Sequence, residues 1–520
     1  MHAWLRAAFG AAFFGITGLS PAVAQDVTLR SLDGSIELDG SLIGFDGEFY
    51  RVDTIYGPLT VNAEGVSCAG PGCPDLESFV AEARFAGASV IADRLMPALI
   101  EGFARARGMT VSRALAADGR SVFTLTRSAD GTTAARFTLI PGTTDSGFEA
   151  LLNRDADLAL ALREPSPVER DAARLADQGD LGLSQRARVL AIDGLVAVVS
   201  PENPLRDIAL SDLARVFAGE ITNWAVLGGG DAPISLHLMR DDSGLAQGFA
   251  NRVLLPAGLG LGPGIIRHTT QADLSGAVAR DPYAIGITSY AGLGNVRALA
   301  LGGPCGFSQT ASAASLKAED YPLTAPLFVY TPARRMPRLV REFLSFFESQ
   351  AAERVIRRAG FVNQSILRTP VSGQGDRMAN AIAAAGPEIT LEDLQRLSAR
   401  ISDSQRLSPT FRFAPGTTDL DPQSRSSVSR LARAIEQGRF DGQRLVFVGF
   451  SDGAGDATTN LRLARGRAET ARRAVMEAAN AADLNRVQLR VDAFGEAMPM
   501  ACDDTEWGRA VNRRVEVWLE

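Results

Sequence analysis

Between residues 83 and 363, strand-like apolar runs alternate with stretches whose apolar side chains recur at helical spacing. This alternation constrains the fold more than any other feature, because strands separated by helices assemble into an α/β domain with a largely parallel sheet. ARFAGAS leads into ADRLMPALIEGFARARG, where Leu95, Leu99 and Phe103 lie on one helical face. ARFTLIPG passes through TTDSG into FEALLNRDADLALAL, a second strand–loop–helix–strand unit. From Thr410 the order becomes β-α-β-α-β-β, running from TFRF to NRRVEVWL, which predicts a two-layer α+β domain. Asp421 before Pro422 supplies a helix cap and a first-turn proline. Residues 364–408 read as a helical linker. Residues 25–80 read as a small β unit, with alternating strands bent at Gly and Asp-Gly.

A chain of 520 residues exceeds one ordinary core, so several domains are expected. A net charge of −7 argues against nucleic acid as the main partner. The first 24 residues carry Arg6, an apolar run from Ala7 to Leu19 and the small-residue site Ala22-Val23-Ala24. That pattern predicts an exported, signal-peptide-bearing chain, with no segment long enough to span a bilayer after cleavage. Four cysteines in an exported chain suggest two disulfides. Cys68 and Cys73 flank the turn AGPG and are expected to pair, which leaves Cys305 and Cys502 as a possible second pair.

The stretch GFSDGAGD at 449–456 fits G-x-S-x-G, the elbow of a nucleophilic serine, but such an elbow needs a histidine later in the chain. The histidines are His2, His237 and His268, all upstream, so Ser451 is not expected to be a nucleophile. Taken with TFRFAPGTTDLD, NLRLARGRA and WGRAVNRRVEVW in this order, the stretch resembles the OmpA-like peptidoglycan-binding domain. The resemblance implies that Asp452 and Arg467 hold the diaminopimelate of the peptidoglycan stem. A zwitterion needs a carboxylate for its ammonium and a guanidinium for its carboxylate, and arginine can offer two parallel hydrogen bonds. Phe450 and Ser451 stand where the family has histidine and threonine. Arg462, Arg465, Arg472 and Arg473 read as a solvated helix face, and Arg513 and Arg514 as structural or rim residues.

The segments SPENPLRDIALSDLARVFAGEITNWAVLGGGDAPI (200–234), YAIGITSYAGL (283–293), YPLTAPLFVYT (321–331) and FLSFFESQAAERVIRRAGFV (343–362) resemble phosphate-type periplasmic binding proteins of ABC importers. The implied fold is a two-lobed α/β periplasmic binding protein, with an oxyanion, phosphate first, held in the cleft. The residues it assigns to that anion are Ser89, Thr144, Ser146, Arg163, Arg240 and Ser243. Val90 and Leu245 stand where the family has hydroxyl side chains, and the spacing from Arg240 to Ser243 is one residue short. A working anion cleft and a cleft kept only as scaffold therefore stay open as readings. GLGLGPG at 258–264 reads as a plain loop, and His237 as packed or rim. No cofactor, metal or catalytic set is expected. The partners implied are peptidoglycan, a small oxyanion and an ABC permease, in an envelope setting that includes the outer membrane.

Overall fold

The computed structural model of the chain describes residues 26–520 apart from 77, 242, 304, 387, 414–418 and 504–505. The expected signal peptide lies outside the described residues. Among the described residues, no helix is long and apolar enough to cross a membrane. The chain divides into two compact units, Met1–Phe79 and Val80–Glu520.

The first unit is an antiparallel sheet of five strands, Asp26–Ser31, Glu37–Phe45, Phe49–Thr54, Gly57–Asn62 and Val66–Ala69. Alternation places Val27, Leu29, Tyr50 and Val52 on its core side. The Cys68–Cys73 disulfide closes its last turn.

In the second unit, residues from 81 to about 363 form two lobes on one 11-stranded sheet. Ala81–Ala88 pairs in parallel with Thr133–Gly142 and Leu158–Ala161 in the first lobe. Ser235–Met239 pairs in parallel with Ala284–Ser289 and Ile266–His268 in the second. The sheet is more mixed than the alternation implies. The long strand Ala187–Val199 runs antiparallel to Thr324–Tyr330, then continues antiparallel to Ala284–Ser289, and so joins the lobes. Phe85, Phe103, Phe137, Phe343 and Phe346 form the ring-packed core of the first lobe. The helices Arg338–Phe346 and Gln350–Arg358 therefore belong to that lobe, because Phe343 and Phe346 anchor there.

The C-terminal sheet has the order Arg368–Pro370, Gln405–Arg412, Arg514–Leu519, Arg444–Phe450, Gln488–Gly495. One face carries Phe411, Phe447, Val515 and Val517 against the helices Pro422–Glu436 and Ala457–Ala478. The other face carries Val446, Val448, Phe450 and Trp518 against Ala381, Leu397 and Ile401. Those three residues come from the helices Gly375–Ala383 and Leu391–Ile401. The stretch expected to be a linker is thus helical, but it forms a third layer and adds an edge strand. The physical cause is Arg444–Phe450 (RLVFVGF), which is apolar on both faces and requires cover on both.

This C-terminal portion grips both lobes. Arg406, 4% exposed, binds Asp320 through two hydrogen bonds of 2.5 and 2.9 Å, and Cys305 is bonded to Cys502, both partners lying on the second-lobe side. On the first-lobe side, Arg430 meets Glu353 at 2.8 Å and Arg433 meets Glu348 at 2.6 Å.

Candidate functional site

Two places answer to the residues singled out in the sequence. The first is built where Arg444–Phe450 ends against the helix Ala457–Ala478. Gly449 permits the approach, since a Cβ there would lie 2.0 Å from the Ala464 carbonyl oxygen. Ala464, Ala468 and Ala471 keep the helix close to the sheet, and Asp456 caps it by accepting from the Thr459 amide. Asp452, on the loop, is buried. Its Oδ2 accepts from Arg513 Nη1 at 2.7 Å and its Oδ1 from the Ala454 amide at 3.2 Å. A carboxylate offers about four lone-pair positions, so acceptor capacity is left over.

Arg467 projects from the same helix, half-buried, with its guanidinium 5.8 Å from the Phe413 ring centroid. Among the described residues no carboxylate lies within ion-pair distance of it. Burial pulls its pKa down, the Arg513 charge adds to that, and Asp452 opposes it. Asp452, Arg467 and Arg513 thus share one electrostatic neighbourhood. The surrounding loops are tied together by Arg513 Nη2 to Glu506, by the Gly453 amide to Asp503, and by Asn512 to Asp503. The Ser451 hydroxyl is buried and has no hydrogen-bond partner among the described residues. Its neighbours include no histidine: His237 and His268 contact each other in the second lobe, at 2.9 Å.

Arg513 was not singled out as a ligand-facing residue, although its place in NRRVE was the available signal. The other polar members of that motif are structural. Asn512 bonds the Met500 and Ala501 amides, and Arg514 and Glu516 are fully buried partners at 2.7 Å.

The second place is the cleft between the lobes. Three loops expected to hold an anion converge there. Gly87 has φ 132° and lies against the Leu160 carbonyl, and Gly147 backs onto Gly87. A Cβ on Gly244 would lie 3.3 Å from Leu162 and 3.9 Å from Ala88. Each of their hydroxyl oxygens makes a local hydrogen bond. Thr144 Oγ1 accepts from the Leu162 amide, Ser146 Oγ closes a capping box with Thr143, and Ser243 Oγ caps the Ala246 amide. Arg163 donates to both oxygens of Glu169, at 2.7 and 2.8 Å, and to Asp145. The hydrogen bonds it donates to Glu169 raise the Arg163 pKa, burial opposes them, and Asp145 adds to the rise. Asp145 also accepts from Gln247, so one carboxylate bridges the first lobe to the second. Arg240 is exposed, and its amide bonds the His268 carbonyl.

The open cavity between the lobes, about 850 Å³, lies beside these loops. Ser89 is on its wall with Asp93, Arg94, Met239, Thr270, Gln271 and Arg280; Thr144, Ser146, Arg163, Arg240 and Ser243 are not. Arg94, Gln271 and Arg280 are polar wall residues that the sequence did not single out, because they sit on helices rather than on the Gly- and Ser-rich loops.

Comparison with known proteins bears on both places. Residues 119–351 match the PBP superfamily domain and residues 412–513 match the OmpA family. The phosphate-binding protein PstS of Bacillus subtilis is 29% identical over 180 residues, 34% of this chain and 57% of that protein. Protein SphX of Synechococcus elongatus is 26% identical over 240 residues, 42% of this chain and 66% of that one. The outer-membrane lipoprotein YfiB of Pseudomonas aeruginosa is 33% identical over 115 residues, 21% of this chain and 62% of that one. The chain therefore spans between 57% and 66% of the length of these relatives. Among solved structures, an ABC-type phosphate transport receptor from Vibrio cholerae aligns with a TM-score of 0.41 at 19% identity, covering 54% of this chain and 99% of that one. The chain thus joins a two-lobed domain of the periplasmic-binding-protein type, akin to phosphate-binding proteins, to a C-terminal domain of the OmpA family.

Proposed function

We propose that this is an exported envelope protein that holds peptidoglycan stem peptides through Asp452 and Arg467 and presents a two-lobed, oxyanion-binding domain from that anchor. The observation that carries the tether is the disposition of charge around Asp452 and Arg467. Arg467 has no carboxylate partner among the described residues, while Asp452 is buried and keeps acceptor capacity. A diaminopimelate end brings an ammonium and a carboxylate, and those two groups answer that arrangement. Charge-assisted hydrogen bonds contribute roughly 1.5–3 kcal/mol each, so two or three give reversible holding. Co-sedimentation of the full chain with purified peptidoglycan tests this. Wild-type protein should pellet and the Asp452→Ala, Arg467→Ala double variant should stay in solution; equal pelleting would reject the assignment.

For the cleft, the likeness to phosphate-binding relatives supports a small oxyanion, phosphate first, and delivery to an ABC permease would follow from it. The bridge from Arg163 through Asp145 to Gln247 favours a second reading, a cleft retained as scaffold for envelope contacts, since the chain's own carboxylate already engages that arginine. Calorimetric titration with phosphate separates the two. Loss of one equivalent of uptake in Arg240→Ala supports capture in the cleft, and a stoichiometry unchanged by that substitution supports the scaffold reading.

A further inference from the structure

A second concentration of guanidinium groups lies away from both places, at the seam between the two-lobed domain and the C-terminal domain. A pocket of about 190 Å³ opens there. One wall is a single face of the helix Pro422–Glu436, from which Arg425, Arg430 and Arg433 project at helical spacing. The other wall brings Arg188, from the start of Ala187–Val199, together with Phe347 and Glu348.

Two of these arginines are balanced: Arg430 by Glu353 and Arg433 by Glu348. The other two form no ion pair among the described residues, although Glu164 and Asp421 lie close enough to Arg425 to feel its charge, and the Arg425 Nε is shielded from solvent without an acceptor. Its Nη1 reaches only the Leu420 carbonyl. Ser426 and Ser429 donate elsewhere, to Gln364 and to the Arg425 carbonyl, so the free donors at this pocket are guanidinium N–H groups. Buried donors without acceptors are costly, and a planar guanidinium matches tetrahedral oxyanions in pairs of hydrogen bonds. The volume equals about six waters at ~30 Å³ each, room for a phosphate or pyrophosphate with part of its hydration.

We propose that this seam pocket is an anion site separate from the interlobe cleft, taking a free, multiply charged phosphate-type oxyanion between Arg188 and Arg425. Such an anion would join one arginine of the two-lobed domain to one of the C-terminal domain, so its binding would also tighten the seam.

The test uses the full chain with Arg240→Ala, which disables the expected cleft site, titrated calorimetrically with inorganic phosphate and pyrophosphate. That chain should still take up one equivalent, and adding Arg188→Gln or Arg425→Gln should weaken uptake about tenfold or more. Ser429→Glu, a change at an exposed position on the same wall, should do likewise by placing a carboxylate in the pocket without touching a packed residue. Phosphate should raise the melting temperature of the Arg240→Ala chain and leave that of the Ser429→Glu derivative unmoved. Silence of the Arg240→Ala chain toward both anions, or uptake unchanged by all three seam substitutions, overturns the proposal.

Discussion

Replacing Glu516 by glutamine should unfold the C-terminal domain far more readily than any surface change. Glu516 is 0% exposed and sits among three guanidinium groups, with Arg377 at 2.5 Å, Arg514 at 2.7 Å and Arg406 at 3.3 Å. Its Oε2, which faces Arg406, also accepts from Trp518 Nε1 at 3.1 Å. Burial pushes the carboxyl's pKa up, but Arg377, Arg406 and Arg514 outweigh it and hold it well below the usual carboxylate range. The same burial pulls Arg514 down to about 10. Glutamine keeps the shape and removes the anion. Arg406 would retain Asp320, but Arg377 and Arg514 would be left as buried cations without a carboxylate in ion-pair contact. Removing one partner of a buried pair costs about 3–5 kcal/mol. For a unit of this size, that is a fall in melting temperature of roughly 6–20 °C. Because the folded pKa of Glu516 lies below its unfolded value near 4.3, its contribution is complete above that pH and is lost as the pH falls through the folded value. The gap between wild type and Glu516→Gln should therefore be wide at pH 7 and shrink below about pH 4. Thermal unfolding of both chains across pH measures it. A loss under about 1 kcal/mol at pH 7 would refute the reasoning, because it would place the cluster at the level of a surface pair.

Three further outcomes follow from contacts described above. Gly449→Ala should cost about 1–3 kcal/mol by forcing strand and helix apart, and should weaken peptidoglycan pelleting because Asp452 and Arg467 ride on those two elements; undiminished pelleting would contradict it. Asp145→Asn should strengthen phosphate uptake in the cleft by about tenfold if Asp145 competes for Arg163, and unchanged or weaker uptake in calorimetry would contradict that. His237 and His268 are both held below the ordinary histidine value, in each case first by burial, with the His268 charge adding at His237. Their folded pKa values lie below the unfolded one near 6.5, so stability should be full above that pH and decline as the pH drops through the folded values; a melting temperature equal at pH 7.5 and 5 in wild type and His268→Gln would refute it.

The loop and helix that carry the proposed pair, Asp452 and Arg467, were legible because their order and spacing survive in one dimension. Arg513 was less legible, since its tie to Asp452 closes over 61 residues. The same holds for Glu516, whose partners include Arg377, 139 residues earlier on a helix that reads as linker. Strand periodicity exposed both apolar faces of Arg444–Phe450 but not what covers the second. In the cleft, the loops were legible from their glycines and hydroxyls. Their use was not, because whether Thr144, Ser146 and Ser243 face a ligand or cap a neighbouring amide depends on side-chain rotation that spacing does not encode.

The central claim is that Asp452 and Arg467 read the two charges of a zwitterion. Its most direct test is titration of the full chain with two soluble stem peptides, one carrying diaminopimelate and one carrying lysine, which lacks the second carboxylate. Wild type should prefer the diaminopimelate peptide by about tenfold or more, and Arg467→Ala should bind both peptides alike. Equal affinity of wild type for the two peptides, or a preference that survives in Arg467→Ala, would contradict it.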